Sequence, residues 1–132
     1  MLAAEARRAD GIEAVTIMSP NDTHYPYAAA ALDAGLDVIG DKPVSTTAPE
    51  ARDLAARAHE KGRVFCVTHG YSAYPMTRYA KQLVADGEIG PVRFVQVEYI
   101  QSGLAKPIEQ GTMTDSQRWK FDAERSGLAL VF

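Results

Sequence analysis

Residues 14–43 read AVTIMSPNDTHYPYAAAALDAGLDVIGDKP, and the order of apolar runs and breakers in this stretch decides the fold. Ala14–Met18 is a short apolar run of the kind that a buried parallel strand shows. It ends in Ser19-Pro20-Asn21-Asp22, a cluster of turn formers. A helix is expected from about His24, with Thr23 or Asp22 as its N-cap and Gly35 as its stop. Val38-Ile39 then makes a second strand, which runs out into Gly40-Asp41-Lys42-Pro43.

Working outward, Thr47-Ala48-Pro49-Glu50 has the form of a capping box, in which Thr47 caps the helix and Glu50 reaches back from its third position. That helix should run to about Lys61, with Gly62 after it, and Val64–Val67 should be a third buried strand. Strands that alternate with helices through short connections are expected to lie parallel. In such a sheet, ligands bind outside the carboxyl ends of the strands. Ser19-Pro20-Asn21, Asp41-Lys42-Pro43 and His69-Gly70-Tyr71 should therefore line one crevice. Upstream, residues 1–11 read as a helix already in progress, stopped at Gly11.

Downstream the pattern changes. Met76, Tyr79, Ala80, Leu83 and Val84 form one apolar helix face, and Gly87 ends it. From Arg93 the chain alternates, with Val95, Val97 and Tyr99 on one side and Phe94, Gln96 and Glu98 on the other, which predicts a strand with one wet face. Residues 101–117 read as loop. The expected fold class is α/β: the C-terminal half of a Rossmann-type, doubly wound parallel sheet joined to the start of an α+β, mostly antiparallel-sheet domain. The expected division is a partial dinucleotide-binding domain over 1–70 and the beginning of a substrate and oligomerisation domain over 71–132.

Composition narrows the function. With 46% hydrophobic residues among 132, the chain can build a core and is not disordered. A net charge of −3 argues against a general nucleic-acid binder. No apolar run approaches the roughly 20 residues of a membrane span. The single cysteine, Cys66, has no disulfide partner in the chain and no metal-site spacing; its apolar surroundings predict a buried structural thiol. No metal site is expected, and a reducing cytoplasm is the default compartment.

The ordered set Ser19-Pro20-Asn21, His24, Ala31-Leu32-Asp33-Ala34-Gly35 and Asp41-Lys42-Pro43 resembles the glucose–fructose oxidoreductase, inositol dehydrogenase and MocA family of nicotinamide-dependent oxidoreductases. Residues 50–62, Tyr74-Pro75, Gly87–Gly90, Trp119-Lys120-x-Asp122 and Ser126-Gly127 continue the likeness over nearly the whole chain.

Lys42 carries most of the chemistry. An ammonium at a strand's carboxyl end can donate to a substrate hydroxyl or ketone oxygen and favour the oxyanion formed during hydride transfer. The resemblance implies that Lys42 is catalytic and also touches substrate and cofactor, and that Pro43, which stiffens the turn, is cofactor-binding; the alternative for Lys42 is a solvated lysine in a turn. Asp41 replaces the family's usual Glu, one methylene shorter, and by resemblance faces the nicotinamide side; the alternative is an acid that caps a turn. Ser19, Pro20 and Asn21 by resemblance run along the cofactor, with Pro20 packing on it and Asn21 hydrogen-bonding to it; the alternative is an ordinary Pro-Asn turn. His24 by resemblance either orders that loop or touches the cofactor. Tyr71 could stack or hydrogen-bond near the nicotinamide, or form a surface turn. Gly70 stands where some members have Asn, which removes one cofactor contact. Trp119 and Lys120 match a segment that reaches toward substrate, with Trp119 equally suited to packing. Arg52, Arg57 and Lys61 read as a solvated helix face.

The resemblance also implies parts that these residues do not contain. The Gly-x-Gly-x-x-Gly fingerprint is absent, as is the family's Asp-x-x-x-His motif with its proton-transfer histidine. The chain is therefore expected to be an internal fragment of an NAD- or NADP-dependent oxidoreductase of a sugar, cyclitol or similar polyhydroxy substrate. The parent is expected to be a homodimer or homotetramer, with no nucleic-acid or membrane partner. The rival expectation is a non-catalytic remnant that binds a ligand or pairs with a subunit.

Overall fold

The computed structural model describes residues 1–100, 111, 113–114 and 118–127. Most of the loop expected over 101–117, and residues 128–132, lie outside the described residues. The chain divides into two compact units. One comprises Met1–Thr68 with the described residues of Met113–Phe132; the other is His69–Thr112. Residues 113–127, read from sequence as part of the second domain, thus fall in the first unit.

The first unit begins with a short helix α1 (Leu2–Glu5) and strand β1 (Ala14–Ile17). A 3-10 turn at Asn21–Thr23 leads into helix α2 (His24–Asp33), then strand β2 (Asp37–Gly40), helix α3 (Ala48–Glu60) and strand β3 (Phe65–Val67). The strands pair in the order β1-β2-β3, all parallel. This is the expected alternation, with the boundaries from β1 to β3 within a few residues of their expected places, whereas the helix expected over 1–11 stops at Glu5 and continues as turns. Thr23 stands at the start of α2 but makes no side-chain cap bond. Pro26 falls in the first helical turn, where a missing N–H costs nothing because that donor has no intrahelical partner. The capping box on α3 is complete: the Glu50 N–H donates to the Thr47 hydroxyl and the Thr47 N–H donates to the Glu50 carboxylate.

Register explains which residues the core takes. Val15 pairs with Val38 and Val38 with Phe65; Ile17 pairs with Gly40 and Gly40 with Val67. Side chains on a strand alternate between faces, so these six share one face, which packs with α2 and α3. Ile17, Val38, Leu32, Leu36, Leu54 and the small Ala28, Ala31 and Ala58 form the buried cluster. Each large member contributes about 1.5–3 kcal/mol by leaving water. The opposite face carries Thr16, Ile39 and Cys66, and all three are exposed. The expectation of a buried Cys66 thiol is thus corrected. An apolar run does not say which of its faces is covered, and among the described residues helices cover only one.

On the solvated helix face expected of them, Arg57 and Lys61 also form ion pairs. Arg57 donates to Asp53 at 2.6 Å and to Asp33 at 2.9 Å, and Lys61 pairs with Asp33 at 3.3 Å. The Tyr25 hydroxyl donates to the same Asp53 oxygen. These bonds tie α2 to α3. Because the groups are partly exposed, each pair is worth at most about 1 kcal/mol.

The second unit contains helix α4 (Gly70–Ala73) and helix α5 (Pro75–Ala85). The apolar periodicity correctly marks α5, yet its face is exposed: Met76 is 73% accessible. The strand expected from Arg93 is not formed, because residues 92–100 have no sheet neighbour among the described residues. The mostly antiparallel sheet is accordingly not present in the described part of this unit.

Among the described residues no helix is long and apolar enough to cross a membrane. No group of three His, Cys, Asp or Glu side chains converges there to hold a metal.

Candidate functional site

The parallel ladder continues past the strands and sets their carboxyl ends side by side. The Asp41 N–H donates to the Ile17 carbonyl at 3.0 Å, and the Thr68 N–H donates to the Gly40 carbonyl at 3.0 Å. Asp41 is therefore the central of three strand-end positions. Its Oδ1 accepts from the Thr68 hydroxyl and from the Lys42 backbone N–H, both at 2.8 Å. Partial burial opposes the charge on Asp41. The Thr68 hydroxyl, the Lys42 N–H and the neighbouring Lys42 and His24 outweigh it and hold the carboxyl below its ordinary value.

Lys42 and Pro43 follow at once, joined by a cis peptide bond. The Lys42 backbone is fixed on one side by Asp41. On the other, the Pro43 carbonyl lies 2.7 Å from His24 Nδ1. The Lys42 side chain is exposed, and its ammonium makes no hydrogen bond or ion pair with another described residue. The arrangement is thus a backbone held on both sides that presents a cation without a hydrogen-bond or ion-pair partner among the described residues.

His24 lies in the first turn of α2 and is 3% exposed. Its Nε2 faces the Ser19 carbonyl at 2.9 Å while Nδ1 faces Pro43. Ser19 also shares a 2.5 Å contact with the Thr23 hydroxyl, which in turn donates to the Pro20 carbonyl. Asn21 is 6% exposed, and its Nδ2 donates to the Ser126 carbonyl at 2.8 Å. Its amide nitrogen is therefore committed within the protein.

A second 3-10 turn (Trp119–Phe121) and helix α6 (Ala123–Ser126) close the first unit. Lys120 Nζ sits 6.0 Å from the centre of the Trp119 ring, within the range of a cation–π contact. This segment docks through residues further along. Arg125 donates to Asp22 at 2.9 Å. Gly127 adopts φ +62°, and a Cβ there would meet Thr46 at 2.7 Å, so only glycine fits.

The structure thus gathers Ser19, Pro20, Asn21, His24, Asp41, Lys42 and Pro43 around the β1 and β2 ends. Tyr71 belongs to the second unit, where its hydroxyl lies 2.7 Å from that of Tyr99. That bond raises the Tyr71 phenol above its usual range. His69 is the N-cap position of α4. Sequence reasoning missed Thr68, although register offered a signal: Thr68 follows Val67, the partner of Gly40, as Asp41 follows Gly40 itself. It also missed the Arg125–Asp22 pair and the bond from Asn21 to the Ser126 carbonyl, contacts between distant residues for which no local pattern exists.

Residues 3–69 match the model of an oxidoreductase family with an NAD-binding Rossmann fold. The chain belongs to the glucose–fructose oxidoreductase, inositol dehydrogenase and MocA family. Within that family it is 37% identical over 131 residues to the uncharacterized oxidoreductase YfiI of Bacillus subtilis, matching 99% of this chain and 33% of YfiI. Its fold superposes on an inositol dehydrogenase homologue from Azotobacter vinelandii complexed with NAD+ with a TM-score of 0.87. That match has 36% identity and covers 96% of this chain and 32% of the other. A further structure of an A. vinelandii inositol dehydrogenase homologue, complexed with NADH and myo-inositol, matches with a TM-score of 0.68 and 43% identity, over 70% of this chain and 24% of that one. The chain spans about a third of the length of these family members. The family match coincides with the first unit up to β3, so the strand ends described above are those of an NAD-binding Rossmann fold.

Proposed function

We propose that this chain is the central segment of an NAD- or NADP-dependent dehydrogenase. The complete enzyme moves a hydride between the nicotinamide and a carbinol carbon of a sugar, cyclitol or related polyhydroxy compound. The observation that carries the reading is the uncommitted Lys42 ammonium on a backbone pinned by Asp41 and His24. The family membership and the myo-inositol bound by the A. vinelandii homologue support the substrate class.

The donor set fits such a ligand. One oxygen of Asp41 holds the strand-end turn, and its charge suits a hydroxyl or amide donor of the cofactor. The Ser19–Pro20 loop lies beside it at the β1 end. When bound, the nicotinamide supplies the hydride acceptor. Lys42 donates to the hydroxyl oxygen that is to become the carbonyl and stabilises negative charge there as the hydride leaves carbon. The hydroxyl proton leaves to a base in the remainder of the enzyme. Trp119 and Lys120 sit on the segment docked by Arg125 and Ser126, and we assign them to the substrate side.

The test is a substrate panel on the complete enzyme, following reduction of NAD+ and of NADP+. Reduction with myo-inositol or aldoses, and none with simple primary alcohols, is expected. Absence of turnover with every polyhydroxy compound would contradict the reading.

A further inference from the structure

His24 is the most enclosed polar side chain at the strand ends, and its contacts separate the two roles the resemblance left open. Both ring nitrogens lie within hydrogen-bond distance of backbone carbonyls, Ser19 at 2.9 Å and Pro43 at 2.7 Å. The residue is 3% exposed. A neutral imidazole brings one N–H and an imidazolium two, so the ring bonds at least one of these carbonyls in either form. No ring nitrogen is left to face a ligand. The two carbonyls belong to different segments: Ser19 follows β1, and Pro43 follows Lys42 after β2. These are the loops to which the proposed function assigns the cofactor and the substrate oxygen.

We propose that His24 is a positioning residue for Lys42: its Nδ1 N–H donates to the Pro43 carbonyl and so ties the Lys42-Pro43 turn to the start of α2, and the ring makes no contact with the cofactor. The logic is that of any side chain that orients a reacting group through a second bond. Lys42 has a long, flexible side chain, so the placement of its ammonium depends on where its backbone starts. Asp41 fixes that backbone before Lys42 and His24 fixes it after. Loss of the His24 bond frees the turn on one side, and a displacement of about 1 Å at a reacting group can cost on the order of 10²-fold in rate.

This inference rests on the proposed function, and its test keeps the two apart. In the complete enzyme, His24→Phe removes the ring N–H donation, while His24→Gln keeps an amide able to reach one carbonyl. We expect kcat to fall about 10- to 100-fold in His24→Phe, with partial recovery in His24→Gln and cofactor Kd within about twofold of wild type in both. A cofactor Kd that rises as much as kcat falls would overturn the proposal, because it marks a cofactor contact. So would a lowered melting temperature with unchanged kcat and Kd, which marks a purely structural residue. If His24→Phe does not fold, nitrogen NMR of the wild-type enzyme decides. The His24 ring resonances are expected to stay in place as NAD(H) is added to saturation, and a clear shift on binding would overturn the proposal. The NMR and Kd readings need no turnover, so an enzyme that oxidises no polyhydroxy substrate would refute the proposed function, while a cofactor contact of His24 would still be detected and would overturn this proposal separately.

Discussion

The two compact units spend similar sequence patterns differently. In the first, apolar residues at strand and helix spacing meet partners: Leu32, Leu36, Val38 and Leu54 lie fully buried between β2, α2 and α3. In the second, α5 has an equally regular apolar face, yet Met76, Tyr79 and Val84 are exposed, as are Phe94, Val95 and Val97 beyond it. The difference shows that periodicity names the face and only tertiary partners bury it. It also explains where the site stands. A side chain such as His24 can be held between two backbone carbonyls only where a packed sheet brings separate loops together, and the first unit does that.

The largest expected effects sharpen this contrast. Leu32→Ala should destabilise this chain by about 2–5 kcal/mol, the range for removing a buried leucine. Val84→Ala should change it by about 0.5 kcal/mol or less. Denaturant titration of both variants checks the pair; equal losses would break the comparison. Next comes the α3 cap. Thr47→Ala should cost about 1 kcal/mol, read in the same titration. Tyr74→Ala, at the N-cap position of α5 where no side-chain cap bond exists, should show no comparable cap loss.

A smaller effect concerns pH. The Asp41 carboxyl is held below its ordinary value in the folded chain. Its contribution is therefore fully present above about pH 4, the unfolded value, and is lost as pH falls through the folded value. Asp41→Asn should lower the melting temperature at neutral pH by the equivalent of about 1 kcal/mol or less, since the group is partly solvated. The wild-type and variant curves should converge in acid. A gap that widens on acidification would contradict the assigned sign.

Much of the first unit was legible because its signals are local. Breakers after apolar runs placed β1, β2 and β3, and Thr47 with Glu50 placed the start of α3. The position of Lys42 just past β2 was legible because that strand ends in a recognisable acid-lysine-proline turn. What escaped was tertiary. Asn21 and Ser126 are 105 residues apart in sequence, and Asp22 and Arg125 are 103 apart. The partners of His24 are backbone carbonyls, which no residue type announces. Cys66 was misread because a run of apolar residues does not reveal which sheet face stays open. The strand expected from Arg93 had the right alternation, but it has no neighbour among the described residues to complete a ladder.

The central claim is that Lys42 acts on the substrate oxygen while other residues hold the cofactor. The direct measurement is turnover and cofactor affinity of Lys42→Ala in the full-length protein. The account predicts a loss of about 10²-fold or more in kcat, with cofactor Kd essentially unchanged. Unchanged turnover would contradict it.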